Sequence, residues 1–182
     1  MRFQLIFVLT AAAASLAIAQ DYPKLRSGQW EMTTTSVKAG AGAPTKSTMC
    51  TDDALQKEMI SMGAGMRKEM CTKNEFRRDG SKITMSSECR IGDSKVVTSA
   101  VMTLSGDTGY KTRIASSFDP PFMGMKDSQT TLDGKYMGAC PAGMAAGDFV
   151  GPNGQKFNIR GLAAKGAAAP SSQPAPRPKA PQ

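Results

Sequence analysis

The chain has 182 residues, with 23 Lys and Arg against 15 Asp and Glu, a formal charge of +8, four Cys, 13 Met and no His. The missing histidine excludes Ser-His-Asp and Cys-His triads, His-containing zinc sites and the commonest general base at neutral pH. A charged fraction of 21% with 6% aromatic residues fits one modest domain carrying flexible additions.

The first element is an export signal. Arg2 precedes the apolar run Leu5 to Ala17, and Ala17-Ile18-Ala19 supplies the small-x-small pattern for cleavage before Gln20. The run is shorter than the roughly 20 residues a helix needs to cross a bilayer, and no later stretch is long enough, so no transmembrane segment is expected after cleavage. The expected division is 1–19 signal peptide, 20–160 one disulfide-stapled β-rich domain, and 161–182 an Ala/Pro-rich disordered tail.

The domain opens with an alternating run from Gly28 to Val37, which places Trp30, Met32 and Thr34 on one face of a strand. A Gly/Ala/Pro loop from Ala39 to Pro44 leads to a short strand, Ser47 to Cys50. Thr51 then caps a helix with Asp52 and Asp53 in its first turn. Leu55, Met59 and Met62 form its apolar side, and Gly63 with Gly65 ends it.

Asn74 to Arg78 and Lys82 to Arg90 flank Asp79-Gly80, a hairpin signal. Turns at Gly92-Asp93 and Ser105 to Gly109 delimit strands Lys95 to Leu104 and Tyr110 to Phe118. Asp119-Pro120-Pro121 is expected to stop the latter, because proline cannot donate to a ladder. A last strand, Ser128 to Met137, leads to Gly138-Ala139-Cys140. Seven short strands with one apolar face predict an all-β antiparallel meander curled into a barrel or half-barrel, without crossover helices. Beyond it, Gly151-Pro152-Asn153-Gly154 is a turn whose flanking Phe149 and Phe157 anchor the segment to the body.

Cys50, Cys71, Cys89 and Cys140 lack Cys-x-x-Cys spacing, so in an exported chain they read as two disulfides rather than a metal or redox site. The favoured arrangement joins Cys50 to Cys71, which would staple the helical excursion to the sheet, and leaves Cys89 for Cys140. The competing arrangement pairs Cys71 with Cys89 across the Asp79-Gly80 hairpin.

Leu25-Arg26-Ser27-Gly28-Gln29-Trp30-Glu31 resembles the L-x-x-G-x-W-E opening of a proteobacterial family, domain-of-unknown-function family 3617. The likeness continues through Cys50-Thr51 at a helix start, Cys71, the Phe76 strand with its Asp79-Gly80 turn, and Glu88-Cys89, and closes at Gly138-Ala139-Cys140. It spans Leu25 to Cys140 and extends weakly to the Gly147-Asp148 to Asn158 segment. The resemblance implies an exported, periplasmic protein with an all-β domain. It implies no reaction, ligand or catalytic residue.

Few chemistries remain. Asp52-Asp53 is the one adjacent acid pair, and its place at a helix start accounts for it better than two-carboxylate hydrolysis. Gly63-Ala64-Gly65 lacks the strand that must precede a dinucleotide loop. Losing Arg2 takes the charge from +8 to +7, and Lys165, Arg177 and Lys179 carry three more, leaving +4 on the body. Basic residues this scattered argue against nucleic-acid binding and suit loose contact of the tail with anionic envelope components. The first expectation is therefore a non-enzymatic, cofactor-free binding or envelope-associated protein with a small apolar ligand or a protein partner, with Trp30, Met85, Met102, Ile114 and Tyr136 as lining candidates. The alternative is Cu(I) or Ag(I) held by the thioethers of Met59, Met62, Met66 and Met70.

Overall fold

Alternating apolar and polar residues along ten-residue stretches bury one face of each strand and wet the other, and the sheet follows from that pattern. The computed structural model describes residues 22–37 and 43–160; the expected signal peptide and tail lie outside them. The elements are β1 (Gly28–Val37), β2 (Thr45–Thr51), α1 (Asp53–Met70), β3 (Cys71–Asp79), β4 (Lys82–Ile91), β5 (Ser94–Leu104), β6 (Gly109–Phe122), β7 (Met125–Gly138), β8 (Asp148–Val150) and β9 (Lys156–Asn158). They form one nine-stranded sheet in the order β3-β4-β5-β6-β7-β1-β2-β8-β9. Every pairing is antiparallel. The fold is all-β, as its alternation predicts, with an open sheet whose edges are β3 and β9.

Two strands exceed the expected seven, β8 and β9, formed around the Gly151–Gly154 turn with Phe149 and Phe157 rings 4.9 Å apart. The meander holds for β3 to β7, after which β1 and β2 add beside β7. The chain must therefore travel from β2 to the far edge at β3. Helix α1 makes that journey, so a crossover helix exists where none was expected.

Helix α1 differs from its expected ends. Its N-cap is Asp52 rather than Thr51: the Asp52 carboxylate accepts from the Leu55 N–H at 2.7 Å, while Thr51 still belongs to β2. The helix runs through Gly63 and Gly65 to Met70. Glycine in a helix costs about 1 kcal/mol against alanine but does not force a stop. At Gly63 the missing Cβ leaves room for a side chain, since an added one would lie 3.2 Å from the Arg67 guanidinium.

Strand β6 likewise passes the expected stop and reaches Phe122. Pro120 and Pro121 fall within an irregularity of the β6–β7 ladder between Ser117 and Phe122, where no donor is required of them. Met123-Gly124 then turns the chain, and β7 begins at Met125 instead of Ser128.

The disulfides are Cys50–Cys140 and Cys71–Cys89, which corrects the favoured Cys50–Cys71 and Cys89–Cys140 pairing. Cys71 and Cys89 lie directly opposite each other across β3 and β4. Cys50 is the next-to-last residue of β2 beside β1, and β7 leads into Cys140 on the other side of β1.

The β8–β9 hairpin depends on Asp148, which accepts from Ala145 N–H at 2.9 Å and Asn158 Nδ2 at 2.9 Å and pairs with Lys156 at 2.9 Å. The Ala145 bond above all, then Asn158 and Lys156, holds its carboxyl down at about 2. A depressed folded value gives stability that is complete above the ordinary carboxyl value of 3.8 and fades as pH falls towards 2. Asp148→Asn is thus expected to lower the urea midpoint at pH 6, with the gap to the parent protein closing between pH 4 and pH 2 in about that range. A gap that stayed constant over this interval would remove the carboxylate from the explanation.

Candidate ligand cavity

Residue rows across the sheet define its inner face. One row runs Ile83, Met102, Thr112, Leu132 and another Phe76, Met85, Ala100, Ile114. Phe76 on β3 and Met49 on β2 are six strand spacings apart, about 29 Å in a flat sheet at roughly 4.8 Å per strand. Both nevertheless line one cavity of about 320 Å³. The sheet is therefore strongly curled, and α1 roofs its concave side through Gln56, Met59 and Ile60.

The remaining wall is the segment before β1. Tyr22, Pro23 and Leu25 face the cavity. The Leu25 backbone is clamped to α1, its N–H donating to Gln56 Oε1 at 3.0 Å and its carbonyl accepting from Gln56 Nε2 at 2.9 Å. Since this clamp uses the Gln56 amide and the Trp30 indole N–H is spent on the Arg26 carbonyl, the cavity surface is predominantly apolar. Thr112 lies in register between Met102 and Leu132, 4% exposed, and its hydroxyl has no hydrogen-bond partner among the described residues.

The opening motif builds one end of this site. Trp30 is 2% exposed, its indole N–H donates to the Arg26 carbonyl at 2.8 Å, and its ring stacks on Tyr110 at 5.7 Å. Arg26 lies over the Tyr136 ring at 5.4 Å and pairs twice with Asp107. Gly28 has φ +140, and a Cβ there would collide with the Gly138 carbonyl and the Tyr136 ring. Gly134 is covered by the Tyr110 ring in the same way. Burial raises the Tyr110 phenol above its ordinary value, which keeps it neutral.

Of the lining candidates, Trp30, Met85 and Met102 lie in the cavity wall. Ile114 borders an adjoining cavity of about 190 Å³, and Tyr136 packs edge-on against Trp30 at 5.9 Å, outside the wall. Residue-level reading missed Tyr22, Leu25, Met49 and Ile60. Met49 shares the face of Trp30 through the β1–β2 register, a signal that needs the pairing to be known. The 22–25 segment carries no periodicity at all.

The thioethers fall elsewhere. With α1 continuous, Met59, Met62, Met66 and Met70 span an arc of roughly 80° at 100° per residue. They are 41%, 44%, 55% and 38% exposed, and only Met59 reaches the main cavity. Asp52 caps α1 and pairs with Arg160, while Asp53 pairs with Lys24 at 2.6 Å and accepts from Ser27. Bonds from Lys24 and then Ser27 lower the Asp53 carboxyl. No cluster of three His, Cys, Asp or Glu suited to a metal occurs among the described residues. None of their helices is long and apolar enough to cross a membrane.

These features define a class: an all-β, disulfide-stapled domain in which one curled antiparallel sheet is roofed by a single helix over an apolar cavity. The chain belongs to the family described as protein of unknown function, DUF3617, which matches residues 25–140. That span begins at the Leu25 clamp and ends at the Cys140 bridge. No curated protein and no solved structure matches the chain.

Proposed function

We propose that this protein is a non-enzymatic, exported envelope protein that holds a small apolar ligand between the curled sheet and α1. The cavity carries the reading. At about 320 Å³ it is far larger than the voids of a packed core, and it lies at the lower end of the roughly 300–1,000 Å³ range of ligand pockets. Five methionines in its wall, Met32, Met49, Met59, Met85 and Met102, give a surface that adapts to varied apolar shapes.

Support for a binding role comes from the wall: among the described residues it is built of apolar and aromatic side chains with one amide and one threonine, and it carries no carboxylate or cationic side chain. Two disulfides suit the oxidising periplasm, and the pattern of residues 1–19 suits cleavage before Gln20. Native mass spectrometry of protein purified from the periplasm tests the reading: an organic mass should accompany the folded chain and leave on denaturation. A chain that is always bare, and that takes up no added alkyl compound, would overturn it.

One observation favours a second reading, Cu(I) or Ag(I) binding. Because α1 stays helical past Gly63, the four exposed thioethers share one stripe, and thioethers select Cu(I). Competition against a Cu(I) chelator should then show uptake that disappears when Met59, Met62 and Met66 all become Leu. Unchanged uptake in that variant would sink this reading.

A further inference from the structure

The concave face is not apolar throughout. One row, Asn74, Ser87, Thr98, Ser116 and Ser128, runs across five strands from β3 to β7. It lies beside the row that carries Phe76, Met85 and Ile114. The Thr98 and Ser116 hydroxyls are 2.9 Å apart and bonded to each other, and Asn74, Ser87 and Thr98 border the 190 Å³ cavity. That cavity shares Tyr22, Phe76 and Met85 with the apolar one, so the two adjoin, with the Tyr22–Phe76 ring pair (4.8 Å) between them.

Arg67 of α1 reaches over this polar shelf. Its Nη2 donates to the Tyr22 hydroxyl at 2.7 Å, and Gly63 leaves the space its guanidinium occupies. Arg67 is half-buried, and no carboxylate among the described residues pairs with it. Glu75 borders the same cavity, but Phe76 points inward, so alternation turns the Glu75 side chain to the outer face, where it accepts from Ser86. A half-buried guanidinium with free donors, bordering a row of polar side chains in a cavity that adjoins an apolar one, matches a ligand of two unlike ends.

Resting on the apolar-ligand reading above, we propose that the ligand is a single-chain amphiphile with an anionic head. The alkyl chain fills the large cavity, and a carboxylate or phosphate sits on Arg67 above Ser87 and Thr98. One chain matches the volume, since the cavity stands at the small end of the pocket range.

The test is competition against N-phenyl-1-naphthylamine, a neutral apolar fluorophore, bound to the full chain. Decanoate and decyl phosphate carry an anionic head, while decanol has the same chain without charge. At least one anion should displace the probe at about tenfold lower concentration than decanol, the gain of a charge-assisted bidentate contact. Which anion does so identifies the head. Arg67→Gln should abolish that advantage and leave decanol unchanged. Equal displacement by all three in the unaltered protein overturns the head site while leaving the cavity occupied. Failure of the probe and of every competitor to bind overturns the apolar-ligand reading itself, and this inference with it.

Discussion

Trp30→Ala is expected to destabilise the domain by about 3–5 kcal/mol, the range for deleting a buried aromatic ring. Trp30 is almost fully buried, stacked on Tyr110 and set edge-on against Tyr136. Its loss removes the ring packing of β1 against Tyr110 of β6 and Tyr136 of β7. It also strands the Arg26 carbonyl, which adds about 1–3 kcal/mol if no water reaches it. Trp30→Phe separates the two effects, because it keeps most of the packing and loses only the indole donor. Urea unfolding followed by far-ultraviolet circular dichroism reads both variants. A Trp30→Ala loss under about 1 kcal/mol would mean that the ring is not part of the core.

Breaking Cys50–Cys140 is expected to have a comparable effect and to exceed the loss of Cys71–Cys89. The first bridge spans 90 residues and the second 18. Loop-closure entropy gives about 4.5 kcal/mol for the longer loop and about 3 kcal/mol for the shorter. The longer bridge also ties the chain on either side of β1, holding in place the strand that presents Trp30 to the cavity. Double alanine variants of each pair, compared by urea midpoint under oxidising conditions, should rank in that order. Domains of this kind have about 5–15 kcal/mol in total, so the Cys50/Cys140 variant should be partly unfolded at 37 °C. The reverse ranking would place the main constraint in the β3–β4 hairpin.

Strand positions were legible because alternation is local: Tyr110, Thr112 and Ile114 share a face whatever their partners are. The Asp79-Gly80 turn was legible for the same reason. What failed depended on distant chain. Gly63 and Gly65 read as a helix stop by local propensity, yet α1 runs through both to Met70, where it hands the chain to β3 at the far edge of the sheet. Pro120 and Pro121 read as a strand stop, but they sit where the ladder is already irregular. The Cys50–Cys140 pairing could not be read from spacing, since it exists only because β1 inserts between β2 and β7. The site was legible in part: Trp30, Met85 and Met102 follow from the inward face, whereas the Tyr22–Leu25 wall and the roof of α1 are tertiary facts.

Trp30 is the single tryptophan of the chain and lies in the cavity wall, so its emission reports on the cavity alone. Titration with 1-bromodecane, whose bromine quenches indole emission on contact, tests the central claim most directly. Occupation of the cavity predicts quenching that saturates at one molecule per chain and is reversed by excess decane. Quenching that rises linearly without saturation, or none at all, would contradict a ligand cavity between the sheet and α1.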